Sequence, residues 1–376
     1  MTEQTHNNTA SEISSAMTAD FNQAVQAPLS ELARQTQHVF VTGAGGFLGT
    51  AICRLLRLAN ISVTGYARGH YPELSQMGVT MVQGDIGDYS RLKEAMHCCD
   101  LVFHVAAKAG VWGSKDDYFQ ANVQGTENII RACQELGITR LVYTSTPSVT
   151  FAGVDEAGID ESQPYADNFL NYYAESKALA EQLVLAASID SNQDVQQNQS
   201  LKTVALRPHL IWGPNDPHLV PRVLERARAG KLKLVGKEDK LVDTIYVDNA
   251  AYAHILAAIA LAKPQANCLG KAYFISNDQP ITMAAMLNNI LNCADLPPVT
   301  KRVPSGVAYA VGATLEWLYT LLNKKQEPIM TRFVAKQLST CHYFDISAAK
   351  KDLGYMPLIS IDAGMKQLKL SLESRK

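Results

Sequence analysis

The chain has 376 residues, of which 47% are hydrophobic and 19% charged, and its formal net charge is −2. This length suffices for a nucleotide-binding core and a second lobe. The near-neutral charge and the lack of a polybasic run argue against nucleic acid or a membrane surface as a partner. Seven scattered cysteines lack the spacing of a zinc site, so we expect reduced thiols in a cytoplasmic protein and no bound metal.

The first 37 residues differ in composition from the rest of the chain. They are rich in Thr, Asn, Gln, Ser and Ala, with few large apolar residues before Leu29. They lack the basic and apolar regions of a secretory signal and are too acidic for a transit peptide. We predict a disordered extension over 1–37, with disorder over 1–27 and a short helix over 29–35.

A glycine-rich turn follows the first predicted strand, over 39–41. Gly43, Gly46 and Gly49 are spaced G-x-x-G-x-x-G and lead into an apolar helix over 50–58. In such a unit the first glycine permits a tight turn, the second lets the backbone approach a pyrophosphate, and the third allows close packing of helix and strand. The helix N-terminus presents free N–H groups to the anion. The stretch predicts a dinucleotide-binding site.

The elements that follow alternate between strand and helix. Strands are predicted over 61–67, 79–83, 101–105, 140–144 and 203–206, helices over 89–96, 117–136 and 171–187, and a polar loop over 190–200. This alternation predicts an α/β fold with a Rossmann-type, doubly wound parallel sheet.

The pattern changes beyond Pro208. Helices are predicted over 220–229, 250–261 and 283–293, and strands over 241–247 and 272–275. We therefore expect an NADP-binding domain over 38–207 and a smaller mixed α/β substrate lobe over 208–376, some of whose strands return to the main sheet.

Tyr173 and Lys177 lie four residues apart on the helix predicted over 171–187, so they share one face. A tyrosine hydroxyl is normally protonated near neutral pH. A cationic lysine nearby favours the phenolate and brings the hydroxyl into a useful range for proton transfer. With Ser145 and Thr146 at a strand end, the pair predicts acid–base chemistry at a carbonyl or an alcohol.

Together these motifs resemble the extended short-chain dehydrogenase/reductase superfamily from about residue 37 to the C-terminus. The segments that carry the resemblance are 42–49, 84–86, 104–107, 122–126, 144–146, 173–177 and 207–208. It implies that Tyr173 is the acid or base, that Lys177 binds the nicotinamide ribose and tunes Tyr173, and that Thr146 hydrogen-bonds the substrate oxygen. The neighbouring Ser145 leaves that last role open. Asn122 is expected to support the lysine and a proton-relay water, or else to cap local backbone.

The resemblance also implies a set of residues that contact the cofactor. They are Gly43, Gly45, Gly46, Phe47, Leu48, Gly49, Arg68, Asp85, Ile86, Ala106, Ala107, Lys108, Tyr173, Lys177 and Pro208. Asp85 and Ile86 are expected to flank the adenine, although an Asp after a strand also forms turns. Ala106 and Ala107 are small where a nucleotide must pass, and they equally suit helix–sheet packing.

Arg68 bears on the choice of cofactor. It stands at the end of the second strand, where NAD binders usually have an acidic residue and NADP binders an Arg. We therefore expect NADP(H), with NAD(H) as the alternative in which Arg68 is an ordinary surface residue.

Within the superfamily the chain is most similar to the 3β-hydroxysteroid dehydrogenase branch, over 143–149, 207–214 and 243–250. Two stretches, 103–113 and 216–222, are similar to the reductases of bacterial long-chain olefin biosynthesis. That likeness implies an oxidoreductase that reduces a 2-alkyl-3-oxoalkanoate to the 2-alkyl-3-hydroxyalkanoate. It also implies a homo-oligomer and a complex with other enzymes of olefin biosynthesis.

Residues 306–322 are unusually apolar, but they are slightly short for a membrane span and contain Glu316, so no transmembrane helix is predicted. A buried lobe helix would explain the pattern. The alternative is an exposed apolar helix that meets a lipid-like substrate, a partner or a membrane surface. For the substrate carboxylate, the candidate cations are Lys108, His209 and Arg222.

Three other functions stay open. One is a sterol or steroid 3β-hydroxy dehydrogenase. Another is a nucleotide-sugar epimerase or dehydratase, which would need more polar, pyrophosphate-binding residues in the second lobe than Arg302 and Arg332. The third is an NADP-sensing binding protein without turnover, which would have no need of Tyr173 and Lys177.

Overall fold

The structure is a computed structural model that describes residues 3–190 and 201–374, with side chains over 19–188 and 201–374. Within these ranges the strands are β1 (His38–Thr42), β2 (Ser62–Ala67), β3 (Thr80–Gln83), β4 (Leu101–His104), β5 (Arg140–Thr144), β6 (Glu156–Ile159), β7 (Lys202–Pro208), β8 (Ile211–Trp212), β9 (Leu234–Val235), β10 (Leu241–Val242), β11 (Ile245–Tyr246), β12 (Lys271–Ile275), β13 (Ile281–Thr282), β14 (Arg302–Val303) and β15 (His342–Phe344).

The α-helices of the same ranges are α1 (Glu3–Gln35), α2 (Phe47–Leu58), α3 (Pro72–Gln76), α4 (Tyr89–Ala95), α5 (Lys115–Tyr118), α6 (Gly125–Leu136), α7 (Tyr172–Asp190), α8 (Leu219–Arg228), α9 (Val247–Ala262), α10 (Met283–Cys293), α11 (Ser305–Leu321), α12 (Arg332–Gln337), α13 (Ser347–Leu353) and α14 (Ile361–Glu373). Apart from its first residue, the polar loop that we predicted over 190–200 lies outside the described residues.

Seven strands form one parallel sheet in the order β12–β7–β5–β4–β1–β2–β3. Its central strands are buried along nearly their whole length, because helices cover both faces. The strand order reverses between β1 and β4, and their carboxyl ends open a crevice there, the usual ligand position in such sheets. The predicted doubly wound Rossmann-type fold is confirmed. Its edge strand β12 comes from the second half of the chain.

The second half also forms the short pairs β11–β8 and β14–β9, and its strands β13, β10 and β15 join β6 from the first half in a four-stranded sheet, β13–β10–β15–β6. Our prediction of one strand over 241–247 is wrong, since β10 and β11 belong to different sheets. The chain changes sheet at Asp243 and Thr244. Asp243 Oδ2 accepts a hydrogen bond from Phe344 N at 2.9 Å, and Thr244 Oγ1 accepts one from the Trp212 indole at 3.1 Å.

The helical run predicted over 117–136 is interrupted. A π-helical turn, Phe119–Gln124, separates α5 from α6. The π-turn places Asn122 in the interior, where Thr126 donates a hydrogen bond to its carbonyl oxygen at 2.6 Å. Such turns are frequent at functional sites because they redirect one side chain.

Helix α9 is buried along its whole circumference, although one face of a surface helix would normally meet water. Strands β5 and β7 contact it, and α1 and α2 pack on it as well. Helix α1 supplies an apolar stripe of four buried residues, Phe21, Val25, Leu29 and Leu32. Their spacing of four and three places them on one helix face.

This packing corrects our expectation of disorder over 1–27. The structure has a single helix, Glu3–Gln35, although Pro28 lies within it. A proline inside a helix removes a hydrogen bond and costs about 3 kcal/mol of helix propensity. Burial of the stripe against the folded core offsets that cost, which local sequence reasoning cannot see.

Helix α11 is largely exposed, and only Ala308 and Gly312 are buried on it. A Cβ on Gly312 would lie 2.6 Å from the Thr331 backbone, so the helix packs closely on the residue before α12 at this glycine. Trp317 is 66% exposed. The alternative of an exposed apolar helix therefore describes this segment, and the buried lobe helix does not. Among the described residues, the helices are too short or too polar to cross a bilayer.

Candidate active site

The glycine turn after β1 forms a tight cradle at the crevice. Gly43 has φ +64°, and a Cβ there would lie 2.9 Å from the Ala106 backbone, so only glycine fits. A Cβ on Gly49 would lie 2.1 Å from Gly43 O, so helix α2 starts hard against the turn. Gly46 is the N-cap residue of α2 and has no side chain that could accept a hydrogen bond from the first turn of the helix. The N–H groups of the first turn of α2 are therefore available to an anion.

A chain of hydrogen bonds ties this cradle to the next strand. Thr42 Oγ1 accepts hydrogen bonds from the backbone N–H groups of Val105 and Ala106, each at 3.0 Å. Its own proton therefore goes to His104 Nδ1, 2.8 Å away, and His104 Nε2–H donates to Thr126 Oγ1 at 3.0 Å. Burial lowers the pKa of His104 to about 3, so the ring stays neutral and holds this arrangement.

Tyr173 and Thr146 meet at the carboxyl end of β5. The Asn171 side chain caps α7 by accepting a hydrogen bond from Ala174 N at 2.8 Å, which starts the helix just before Tyr173. Burial raises the pKa of Tyr173, while the neighbouring Thr146 side chain opposes that rise. Tyr173 therefore carries its proton at neutral pH and can act as an acid.

Lys177 is buried one helical turn beyond Tyr173. Its Nζ donates to the Thr144 carbonyl at 2.6 Å and lies 4.0 Å from the centre of the Tyr143 ring. Burial lowers the pKa of Lys177 to about 7, against the opposing charge of Glu181. The ammonium group thus points toward the end of β5. We predicted that Lys177 tunes Tyr173 directly, but the pKa of Tyr173 is shifted by burial and by Thr146.

Asn122 is held by three hydrogen bonds. Its Oδ1 accepts from Lys108 N at 2.7 Å, and its Nδ2 donates to Lys108 O at 3.1 Å and to Ser176 Oγ at 2.9 Å. It therefore fixes the loop after β4 to α7, one residue before Lys177. Of our two interpretations, the backbone cap describes the contacts with Lys108, and the support of Lys177 and a proton-relay water stays a prediction.

Ser145, the alternative to Thr146, is buried, and its Oγ lacks a hydrogen-bond partner in the described structure. Its backbone N–H donates to Leu206 O at 2.6 Å and so fixes β5 against β7. An unpartnered hydroxyl beside the crevice is the kind of group that a bound polar ligand satisfies.

The remaining predicted cofactor contacts surround the same crevice. Phe47 and Leu48 open α2, Ile86 packs against Gly125, Ala107 is exposed in the loop after β4, and Pro208 is buried at the end of β7. Asp85 is exposed, and its Oδ1 accepts from Gly87 N at 2.8 Å, so it forms the turn that we considered for it. The exposed Arg68 guanidinium makes neither a hydrogen bond nor an ion pair with the described residues.

The three candidate cations for a substrate carboxylate differ in their surroundings. Lys108 Nζ pairs with Asp117 at 2.7 Å and Arg222 with Glu327 at 2.9 Å, both with partly exposed side chains. His209 is buried, and burial holds its pKa well below its usual range. A neutral imidazole cannot pair with a carboxylate, so the structure argues against His209 in that role.

Sequence reasoning missed the residues that complete the site. Tyr71 packs its ring on the glycine turn, since a Cβ on Gly45 would lie 2.2 Å from Tyr71 Cε2. Tyr143 lies under the Lys177 ammonium and Ser176 holds Asn122. None of these stands in a recognisable spacing. Only the position of Ser176, between Tyr173 and Lys177 on the helix, could have indicated its role.

An aromatic series connects Tyr173 with helix α11. Tyr118 lies edge-on to Tyr173 with ring centres 6.4 Å apart, and its hydroxyl donates to Trp112 O at 3.1 Å. Trp112 in turn meets Tyr319 edge-on at 6.1 Å, and its indole donates to Lys324 O at 3.0 Å. The exposed apolar helix therefore adjoins the loop that borders the acid residue.

Known proteins share much of this sequence. The chain is 67% identical over 349 residues to a 2-alkyl-3-oxoalkanoate reductase of Shewanella oneidensis, covering 92% of this chain and 89% of that protein. It is 50% identical over 336 residues to a protein of the same name from Stenotrophomonas maltophilia, covering 89% and 98%.

Among solved structures, UDP-glucose 4-epimerase of Thermus thermophilus in complex with NAD superposes with a TM-score of 0.69. The match covers 90% of this chain and 100% of the epimerase at 22% identity, which shows a shared fold.

The model of the 3-beta hydroxysteroid dehydrogenase/isomerase family matches residues 40–301, which include the glycine turn, Thr146, Tyr173 and Lys177. This span is more than half of the chain. The protein is therefore an oxidoreductase that belongs to the 3-beta hydroxysteroid dehydrogenase/isomerase family.

Proposed function

We propose that this protein is an NADP-dependent ketoreductase that converts a long-chain 2-alkyl-3-oxoalkanoate to the 2-alkyl-3-hydroxyalkanoate, as a step of long-chain olefin biosynthesis. The observation that carries the proposal is the position of Tyr173 on α7 beside Thr146, at the end of β5. A hydroxyl that can donate a proton, with a second hydroxyl nearby, is what a carbonyl oxygen needs when it becomes an alkoxide. The two reductases to which the chain is similar carry the name of this substrate.

The residues of the crevice suit a nicotinamide dinucleotide. The cradle of Gly43 and Gly49 and the uncapped start of α2 would hold the pyrophosphate, and Ser145 Oγ offers an unpartnered polar group near the reacting end. Exposed and unpaired among the described residues, Arg68 is free to meet a 2′-phosphate. The solved epimerase to which the fold is similar is described as a complex with NAD.

NADPH, when bound, would supply the hydride, and side chains of the protein supply the proton. Tyr173 donates its hydroxyl proton to the ketone oxygen, while Thr146 hydrogen-bonds the same oxygen and fixes its position. Lys177, buried beside β5, would bind the ribose and add positive charge near the tyrosinate that forms. Asn122 and Ser176 keep the loop after β4 in register with α7.

The surroundings of Tyr173 suit a substrate with long alkyl chains. Tyr118 packs edge-on against the Tyr173 ring, and Trp112 contacts Tyr319 of α11. Leu318, Leu321 and Leu322 are exposed at the C-terminal end of that helix. An apolar surface of this kind on a lone protein normally marks a ligand, partner or membrane contact. We assign it to the alkyl chains of the substrate, which leave the catalytic crevice along it.

A turnover screen tests the proposal. Purified protein is incubated with NADPH and either a 2-alkyl-3-keto acid, a 3-ketosteroid or a UDP-sugar, and NADPH consumption is followed. Because 3-keto acids lose carbon dioxide spontaneously, oxidation of the stable 2-alkyl-3-hydroxy acid with NADP⁺ is measured in parallel.

We expect the 2-alkyl acids to exceed the steroid in kcat/KM by at least an order of magnitude, and the UDP-sugar to be inert. Preference for the steroid would instead favour a sterol dehydrogenase. Cofactor binding without any turnover would favour a sensor.

A further inference from the structure

A buried polar cluster lies behind Thr146, and the mechanism above gives it no role. It consists of Ser148, Glu156 from β6, His209 after β7 and His342 from β15, each at most 8% exposed. These side chains line one cavity of about 10 Å³. That volume admits a single water molecule where polar groups surround it. The cluster therefore joins four proton-carrying side chains around one water-sized space.

The hydrogen bonds determine how the two histidines carry their protons. His342 Nε2 lies 2.7 Å from Gln337 O, which can only accept, so His342 Nε2 carries the proton. Its Nδ1 is then bare and accepts from His209 Nε2–H at 2.7 Å. Burial keeps the pKa of both rings below its usual range, so each is neutral. The remaining nitrogen of His209, Nδ1, is thus a bare proton acceptor.

The surroundings of Glu156 favour its protonated form. The residue is 3% exposed, and burial raises its pKa to about 7. Thr150 Oγ1 lies 2.8 Å from Glu156 Oε1 and 3.0 Å from Pro147 O, so its single hydroxyl proton must be shared between two acceptors.

The cluster reaches the acid residue through Thr146. Ser148 Oγ is 3.3 Å from Thr146 Oγ1, and the Thr146 side chain acts on the Tyr173 hydroxyl. The alternative route past Asn122 is less open, since both N–H groups of its amide are already committed to Lys108 O and Ser176.

We infer that Glu156 is a proton reservoir for Tyr173, connected to it through a water in the cavity and the hydroxyls of Ser148 and Thr146. The inference rests on the function proposed above. Glu156 is then a positioning residue that acts through Thr146 and Tyr173, and the cavity holds the water that connects Glu156 with Ser148.

The proton balance closes over one turnover. Tyr173 gives its proton to the substrate alkoxide and becomes a tyrosinate. Thr146 then passes its hydroxyl proton to Tyr173, Ser148 to Thr146, the cavity water to Ser148, and Glu156 to that water. One proton leaves the Glu156 carboxyl, one arrives on the product, and solvent later returns a proton to Glu156.

The charged groups around Glu156 allow this brief ionisation. Arg207 is the cation that acts on it, and its charge favours the carboxylate. Arg207 is itself paired with Glu181, its Nε donating at 3.0 Å. The neighbouring Asp155 faces the surface and pairs with Lys240 at 3.2 Å, while His209 and His342 are neutral. Glu156 can therefore exist in both states near neutral pH.

The test compares wild-type protein, Glu156→Gln and Ser148→Ala in the reduction of the 2-alkyl-3-keto acid with NADPH, across pH 5.5 to 9. Gln copies the shape and neutrality of the protonated carboxyl but cannot give up a proton. We expect kcat of both variants to fall by up to roughly 10²-fold, the lower end of what acid–base groups supply, with KM nearly unchanged. Lys177 is unchanged in all three proteins, so a difference between their pH profiles of kcat measures the contribution of the relay.

The wild-type profile should decline as pH rises through about 7, where both Glu156 and Lys177 lose a proton, and the Glu156→Gln profile should keep only the shallower part of the decline that Lys177 causes. Glu161→Gln serves as the matched control, because Glu161 is another partly buried carboxylate, whose pKa is also raised by burial, but its Oε1 accepts from Phe274 N, outside the cluster. It should behave as wild type.

A second measurement follows the free energy of unfolding, which does not depend on turnover. Burial raises the pKa of Glu156 from 4.5 to about 7, so its favourable protonated form is lost as pH rises between these values. Glu156→Gln should therefore match wild type at pH 4.5 and gain stability relative to it by pH 8.

Identical pH profiles of kcat in wild type and Glu156→Gln, with the keto acid turned over, would overturn the relay and leave the proposed function standing. If wild type and Glu156→Gln differ in stability as expected but wild-type protein reduces no keto acid, both the relay and the proposed function are overturned. An unchanged stability difference across pH would show that Glu156 does not titrate in the fold, and would overturn the reservoir.

Discussion

Tyr173 differs from the other tyrosines near the site in its accessibility. Tyr118 and Tyr143 are each 1% exposed, and the Tyr118 hydroxyl donates to a backbone carbonyl, which fixes its proton in place. Tyr173 is only half-buried and has Thr146 beside it. A threonine hydroxyl can both give and receive a proton, so Tyr173 is suited to exchange one with a substrate.

Replacing Tyr173 by Phe should abolish turnover and leave NADP(H) binding nearly intact, because only the phenolic proton is lost. The fall in kcat should be at least 10²-fold. Fluorescence titration with NADPH checks the binding. Tyr172→Phe is the control, since Tyr172 is the exposed neighbour on the same helix. A Tyr173→Phe variant that keeps more than about a tenth of the rate would remove Tyr173 as the acid.

Arg68→Asp should shift cofactor preference from NADPH toward NADH. Its guanidinium is exposed and unpaired within the described structure, so the substitution breaks no contact of the fold. An aspartate repels a 2′-phosphate and can accept from a free 2′-hydroxyl. The ratio of kcat/KM for the two cofactors is the measurement. Arg228→Asp makes the same charge change at an exposed site on α8 and should leave the ratio unaltered.

Among single residues, the sequence could identify those whose roles require a fixed spacing. The glycines follow the spacing of a tight turn, and Tyr173 and Lys177 follow the spacing of one helix face. In the structure the glycines form one turn, and Tyr173 and Lys177 lie on one helix. His209 shows the limit of such reasoning. Its place after Arg207 and Pro208 suggested a cation near substrate, but its charge depends on burial by β15, which lies far along the chain.

Helix α11 has an unusual division between its two ends. The C-terminal half adjoins Trp112 through Tyr319, close to the catalytic loop, while the N-terminal half carries Val307 and Val311 farther along the helix. If the helix guides alkyl chains, only the half near Trp112 should affect long substrates.

Each two-carbon extension of the substrate that the apolar surface accommodates should raise kcat/KM by roughly an order of magnitude, at about 0.8 kcal/mol per methylene. Replacing Leu318 and Leu322 by Ser should flatten this dependence and leave short-chain turnover nearly unchanged. The measurement is kcat/KM across a series of chain lengths.

The matched control for that series is the pair Val307→Ser and Val311→Ser, which lies on the same helix but away from Trp112. It should keep the wild-type dependence. Equal losses on short and long substrates in the leucine variant would point to simple packing. Recovery of wild-type protein only with detergent would point to a membrane contact instead.

At the level of elements, the sequence predicts the strands and helices of the sheet well, because each repeats a clear period. It fails where tertiary partners decide. The residues over 241–247 have a continuous strand pattern, yet Asp243 and Thr244 bind different neighbours and end the strand. The π-turn is likewise invisible in a helical pattern, although it places Asn122.

The whole molecule depends on α1, although this helix lies before the region that resembles the family. Leu29→Ala should lower the free energy of unfolding by about 2–5 kcal/mol, as for other fully buried leucines. Urea denaturation measures it as a lower midpoint with an unchanged slope. Gln26→Ala, exposed on the same helix, is the control and should be neutral. A neutral Leu29→Ala would show that α1 is dispensable for stability.

The contact between α1 and α9 also sets an order of events during synthesis. The stripe of Phe21, Val25, Leu29 and Leu32 leaves the ribosome before its partner helix Val247–Ala262 has been made. About 210 residues separate them, so at 5–20 residues per second the stripe waits roughly 10–40 s without its native cover. During that interval its apolar face is open to chaperones and to other nascent chains, so the yield of folded protein should depend on translation speed between these two helices.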